Sequence, residues 1–245
     1  ASPTEYTGHI TRFETTVNDS TGDSECRATV ASDTSAGHGF VADFHAIPEI
    51  REDPFVLNWL FQQSSLCHEA QRAYLTGDRV SVTGIMVPAT SNVNGQSMLP
   101  TLPVQNFHAL ATDVGASVLT HAPENANVCN QLGCQAQGLV SLVSHPLHQY
   151  PVMCTAILKV GQPDANGQYQ RAVVNIEAEM HKQWPLILQD LKLLQAKAEA
   201  CHLLEEAEQA QKPVTVLGHQ ESDASTIRAI AVTVEDENAA NLAPM

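Results

Sequence analysis

The chain has 245 residues, room for one or two domains. Hydrophobic residues make up 43% of it, enough for packed cores, so wholesale disorder is excluded. The 12 Lys and Arg stand against 27 Asp and Glu, a formal net charge of −15. That charge argues against an anionic membrane as partner and against tight binding dominated by phosphates, and no apolar run approaches the ~20 residues of a membrane span.

Taken in order, residues 6–17 predict a strand with Gly8 near its start, and 18–23 a turn cluster. Alternation over 26–31 and 40–47 predicts two more strands. Asp53-Pro54 reads as a helix start, with Asp as N-cap and Pro in the first turn. Val56, Trp59, Leu60, Cys67, Ala70 and Tyr74 fall near helical spacing, and Gly77 ends that helix. A fourth strand starts at Arg79, interrupted by Gly84, which marks a bulge. Residues 90–96, with Asn94-Gly95, read as a hairpin-like loop, and 105–114 as a fifth strand.

The second half repeats this order. Residues 137–143, 152–160 and 168–179 predict strands, and 185–211 a long helix whose stripe is Ile187, Leu191, Leu194, Ala198, Cys201 and Leu204. Strands follow over 212–217, ending in Gly218, and over 226–234. Gly77-Asp-Arg-Val-Ser-Val-Thr-Gly84 aligns with Gln211-Lys-Pro-Val-Thr-Val-Leu-Gly218. A duplicated unit of three strands, helix and two strands predicts a mostly β chain of two tandem OB-fold barrels. The expected division is 1–120, a linker over 121–135, 136–237, and a short tail over 238–245.

Three segments carry a family resemblance: Tyr6-Thr-Gly-His-Ile-Thr-Arg-Phe13, Leu75-Thr-Gly-Asp-Arg-Val-Ser-Val-Thr-Gly-Ile85 and Phe107-His-Ala-Leu-Ala-Thr-Asp-Val-Gly-Ala-Ser-Val118. Over about residues 5–120 the chain resembles the bacterial and mitochondrial single-stranded-DNA-binding protein family. The second unit matches mainly by layout and by Pro213-Val-Thr-Val-Leu-Gly218. The resemblance implies non-catalytic single-strand binding across barrel faces in replication, recombination or repair. The implied partner is single-stranded DNA, with RNA not distinguished, in a homo-oligomer or a larger complex. The family's acidic tail is reduced here to Glu235-Asp-Glu and Leu242-Ala-Pro-Met.

Sequence-tolerant single-strand binding uses aromatic faces for stacking and cations along the backbone. First-unit candidates are Arg12, Phe13, Arg27, Phe40, Phe44, Arg79 and Phe107; that unit has no Lys. Second-unit candidates are Tyr150, Lys159, Tyr169, Arg171 and Arg228, with Lys212 as a further cation. Phe40 and Phe44 share a strand face by even spacing, and a face turned into a small barrel is core, so both readings stand. Trp59 and Trp184 read as packing anchors.

The shortage of cations supports a rival expectation, in which the barrels dock on proteins within a nucleoprotein assembly. Glu199, Glu205, Glu206 and Glu208 on the long helix would then form a docking face, or simply a solvated one. Cys129, Cys134, His145 and His148 approximate a two-Cys, two-His zinc set, but the His-x2-His gap is short and a strand is predicted between the pairs. No metal or cofactor is assigned. Phosphate-loop, nucleophile-elbow and His-Glu-x-x-His motifs are all missing, so no catalysis is expected. Six cysteines in a chain this long do not read as a disulfide scaffold. Reduced thiols are expected, in the cytoplasm and nucleoid or the mitochondrial matrix.

Overall fold

The computed structural model describes residues 1–18, 23–44, 56–89, 98–110, 128–130, 133–146, 152–177, 188–221, 226–235 and 242–245. The chain is mostly β and divides into two compact units: unit 1 holds residues 1–14, 25–118 and 235–245, and unit 2 holds residues 15–24 and 119–234. No described helix is long and apolar enough to cross a membrane.

In chain order the first elements are β1 (Thr4–Asn18), β2 (Asp23–Ser32), β3 (His38–Asp43), α1 (Val56–Thr76), β4 (Arg79–Gly84) and β5 (Thr101–Leu110). β2 pairs with β1 and β3, β3 runs parallel to β5, β5 pairs with β4, and β4 returns to β1. This ring makes a closed five-stranded barrel. Alternate residues point inward, which is why Phe13, Cys26, Ala28, Val30, Phe40, Ala42, Val80, Val82, Leu102 and Phe107 are buried. Cys67, Ala70 and Tyr74 of α1 are buried as their spacing predicts. The helix start at Asp53-Pro54, the loop over 90–96 and residues 111–114 lie outside the described residues, and the side chain of Trp59 is not described.

The second half continues with β6 (Val128–Asn130), β7 (Gly133–Ser144), β8 (Val152–Val160), β9 (Gln170–Glu177), α2 (Leu188–Ala210), β10 (Pro213–Gln220), β11 (Thr226–Glu235) and β12 (Ala243–Pro244). β7 pairs with β8, β8 with β9, β9 runs parallel to β11, β11 pairs with β10, and β10 with β7. Two short strands were not expected. β6 forms a hairpin with β7 where a linker was predicted, and β12 lies parallel to β3 at His38 and Gly39.

The two halves agree residue by residue. Gly8 faces Val80 across β1–β4, and Gly138 faces Val214 across β7–β10. The bulge on β4 falls between Thr83 and Gly84, and that on β10 between Leu217 and Gly218. The helix ends match as well. Gly77 N–H donates to Tyr74 O (3.3 Å) and Asp78 N–H to Ala73 O (3.0 Å); Gln211 N–H donates to Glu208 O (3.3 Å) and Lys212 N–H to Ala207 O (3.1 Å). Both are Schellman motifs, which require a left-handed residue just past the helix. Gly77 meets this with φ 75°, whereas Gln211 holds φ 53° against its own Cβ.

Two sequence-based expectations are overturned. The cysteines are not reduced: Cys26 bonds to Cys67 and Cys154 to Cys201, Cys134 is also disulfide-bonded, and no described cysteine is free. The expectation failed because cysteines 41 and 47 residues apart carry no local signal, and only the docking of helix on strand makes them neighbours. Closing loops of this length stabilises by about 4 kcal/mol apiece in the chain-entropy account. The α2 face agrees with the predicted one at Cys201 and Leu204, which are buried, and differs from it elsewhere; Ile187 and the side chain of Leu191 lie outside the described residues. Ala198 is exposed and Leu194 half-buried, while Ala196, Glu199, Ala200, Leu203 and Ala207 are buried. Glu199 therefore belongs to the buried stripe, not to a solvated acidic face, and Lys197 beside it is buried too.

Gln211→Gly should raise the stability by about 1 kcal/mol by removing the left-handed penalty. A chain of this size should then melt roughly 2–4 °C higher. Gly77→Ala should shift the melting temperature the other way by a similar amount, and thermal unfolding of the two variants checks both.

Candidate nucleic-acid interface

In unit 1 the aromatic candidates fill the core. Phe13, Phe40 and Phe44 are 0% exposed and Phe107 is 1% exposed. Phe44 and Phe107 meet edge to face at 5.6 Å between ring centroids, and Phe40 lies 5.5 Å from Tyr6. A ring enclosed in this way presents no face to a base. The inward reading of the Phe40–Phe44 spacing is the one that the barrel adopts.

The three strand arginines of unit 1 are occupied by carboxylates. Arg12 donates to Glu14 at 2.8 Å and lies 3.4 Å from Glu235. Arg27 donates to Glu25 at 2.8 Å and lies 3.8 Å from Asp43. Arg79 donates through Nε to Asp33 at 2.8 Å, and the other oxygen of Asp33 lies 3.2 Å from His9 Nδ1. These pairs are partly exposed and contribute little to stability. Their consequence is electrostatic, since each cation already has an anion where a phosphate would sit.

Unit 2 is different. Lys159 on β8 and Arg171 on β9 are direct register partners, both exposed on the outward face of the hairpin. Their neighbours Leu158, Val160 and Ala172 point inward and are buried. Tyr169 lies two residues before Arg171, and Lys159 Nζ lies 5.5 Å from its ring centroid, within cation–π reach. The connecting turn is firmly built. Asp164 Oδ1 accepts the N–H groups of Asn166 (2.8 Å) and Gln168 (2.9 Å), and Gly167 takes φ 76°. Among the described residues no carboxylate pairs with Lys159 or Arg171. The same face continues with Thr155, whose hydroxyl donates to Asn175 at 2.9 Å.

The remaining second-unit candidates do not join this group. Arg228 lies 3.2 Å from Glu177, and Lys212 is 3% exposed. Tyr150, Trp184 and His148 lie outside the described residues. The zinc set is also broken, because Cys134 is committed to a disulfide, with Cys129 as its register partner across β6–β7. His145 is paired with Glu205, and His202 with Glu206 at 3.3 Å, so two of the helix's expected acidic positions are taken up by histidines.

The matching registers of the two units show what stands in unit 1 at the positions of this cluster. Ala31 and Gly39 are register partners on β2–β3, as Lys159 and Arg171 are on β8–β9. Two cations in one unit thus correspond to two small residues in the other. β12 adds to this: Ala243 N–H donates to Gly37 O at 2.8 Å, and a Cβ on Gly39 would come within 2.7 Å of the Leu242 side chain. Sequence reasoning selected Lys159, Tyr169 and Arg171 by residue type. It missed their contrast with Ala31 and Gly39, which the register alignment of the two halves makes visible.

No protein-family model matches the chain, and no curated protein matches it. Two solved structures from Thermus aquaticus are similar to it. A deletion mutant of a single-stranded DNA binding protein is 9% identical, covers 97% of this chain and 96% of that chain, and gives a TM-score of 0.25. The wild-type form is 9% identical, covers 95% and 91% respectively, and gives a TM-score of 0.25.

Phe40→Ala and Phe44→Ala should each lower unfolding stability by about 3–5 kcal/mol, as buried aromatics do when a cavity replaces them. Denaturant unfolding checks this. Oligonucleotide binding per folded molecule should be unchanged.

Proposed function

We propose that the protein is a non-catalytic binder of single-stranded nucleic acid, DNA foremost, built from two OB-fold barrels of which the second makes the contact. The supporting observation is the group of Lys159 on β8, Arg171 on β9 and Tyr169 just before β9. In the cyclic strand order of unit 2 these are the second and third strands, the pair whose face holds oligonucleotides in OB folds. An aromatic ring flanked by two cations supplies both requirements of sequence-tolerant binding, a stacking face and charge for the backbone. With a net charge of −15 and the three strand arginines of unit 1 paired to carboxylates, the binding is weak and strongly salt-dependent.

A mobility shift with oligo-dT should appear at low salt and fade as salt rises. Lys159→Gln and Arg171→Gln should each weaken it and lower the salt slope by about 0.7, the single-strand value for one lost phosphate contact. Tyr169→Ala should cost roughly 1–3 kcal/mol of stacking. Arg27→Gln and Arg79→Gln should change little. Loss of the shift in none of the Lys159, Tyr169 and Arg171 variants would overturn the assignment. No shift at about 20 mM salt, where counterion release is most favourable, would favour docking on proteins. That second reading is supported by the same ion-paired arginines of unit 1.

A further inference from the structure

We propose that the cysteines form one helix clasp written twice, that each clasp holds its own unit independently, and that the chain matures in an oxidising compartment. The inference stands apart from the single-strand reading. Cys26 lies on β2, the second strand of its ring, and its carbonyl accepts the N–H of Phe44 just past the end of β3 (2.9 Å). Cys154 lies on β8, also a second strand, opposite Ile176 near the end of β9. Cys67 sits nine residues before Thr76, the last residue of α1, and Cys201 sits nine before Ala210, the last of α2. Strand, helix and distance from the cap therefore coincide in both halves.

The four cysteines are buried, so external thiols reach them only when a helix lifts. Buried bonds closing loops of 41 and 47 residues are structural rather than catalytic in character. Such bonds persist outside the reducing cytosol. Each forms when a thiol pair passes two electrons, with its two protons, to a disulfide oxidant such as oxidised glutathione. A mixed disulfide is the intermediate, and two reduced thiols leave. The fifth bonded cysteine, Cys134, has Thr4 at the corresponding first-strand position of unit 1, so that bond belongs to unit 2 alone.

The test uses the full chain, folded in a glutathione buffer poised like a secretory lumen. Denatured without reductant, it should yield no alkylated Cys26, Cys67, Cys154 or Cys201 by peptide mass spectrometry. Hydrogen exchange should then show that Cys26→Ala with Cys67→Ala lowers protection in α1 by roughly a hundred- to a thousandfold, with α2 little changed. Cys154→Ala with Cys201→Ala should do the reverse, as loops of this length imply. Stepwise reduction of the unmutated chain by a dithiol gives the same readout without a variant, with protection lost in one helix for each of the two clasps opened, and in neither when the Cys134 bond opens. Alkylated thiols in a chain whose helices are fully protected would overturn the proposal. So would unchanged protection after a pair is removed, or loss of both helices together when one bond opens.

Discussion

Both units share a close approach of backbones between their first and second strands. A Cβ on Gly8 would lie 2.1 Å from Ala31 O, and one on Gly138 would lie 2.1 Å from Lys159 O. No real side chain survives such a contact, so the first strand can coil tightly against the second only where it carries glycine. That coil turns the first strand toward the fourth, and the pairings of β1 with β4 and of β7 with β10 follow in identical register. Strand closure then decides which residues face inward, and so which aromatics become core.

From that closure comes the asymmetry between the units. Where unit 2 has the exposed register partners Lys159 and Arg171, unit 1 has a half-buried Ala31 and a buried Gly39. The strand registers match between the units while the residues at these positions differ. One face carries cations beside an aromatic ring. The other carries small residues, with Leu242 packed at Gly39. A closed barrel tolerates this because its outward positions contribute little to the core.

Charge follows the same division. Unit 1 places Glu14, Glu25, Asp33 and Asp43 beside its three strand arginines, so those cations are neutralised where they stand. In unit 2 the carboxylates of Glu205 and Glu206 are engaged with histidines, and Glu199 is buried in the helix stripe. An acidic chain can therefore leave one small cationic face open. Electrostatic attraction there is local, since charges beyond about 10 Å are screened at ordinary salt.

Much of the architecture was legible in the residues themselves. Alternation placed most of the strands, Gly77 marked a helix end and Gly84 a bulge, and the alignment of 77–84 with 211–218 pointed to a second, similar unit, because these are local signals with local causes; Gly218 was expected to end its strand, and instead β10 bulges there and runs on to Gln220. The choice between core and surface for Phe40 and Phe44 was not legible, because period two names a face without saying which way it points. The ion pairs of Arg27 and Arg79 escaped for a related reason: Asp43 and Asp33 are distant in sequence and meet them only across paired strands. The disulfides were least visible of all, since their partners lie 41 and 47 residues apart and only the seating of each helix on its second strand brings the sulfurs together.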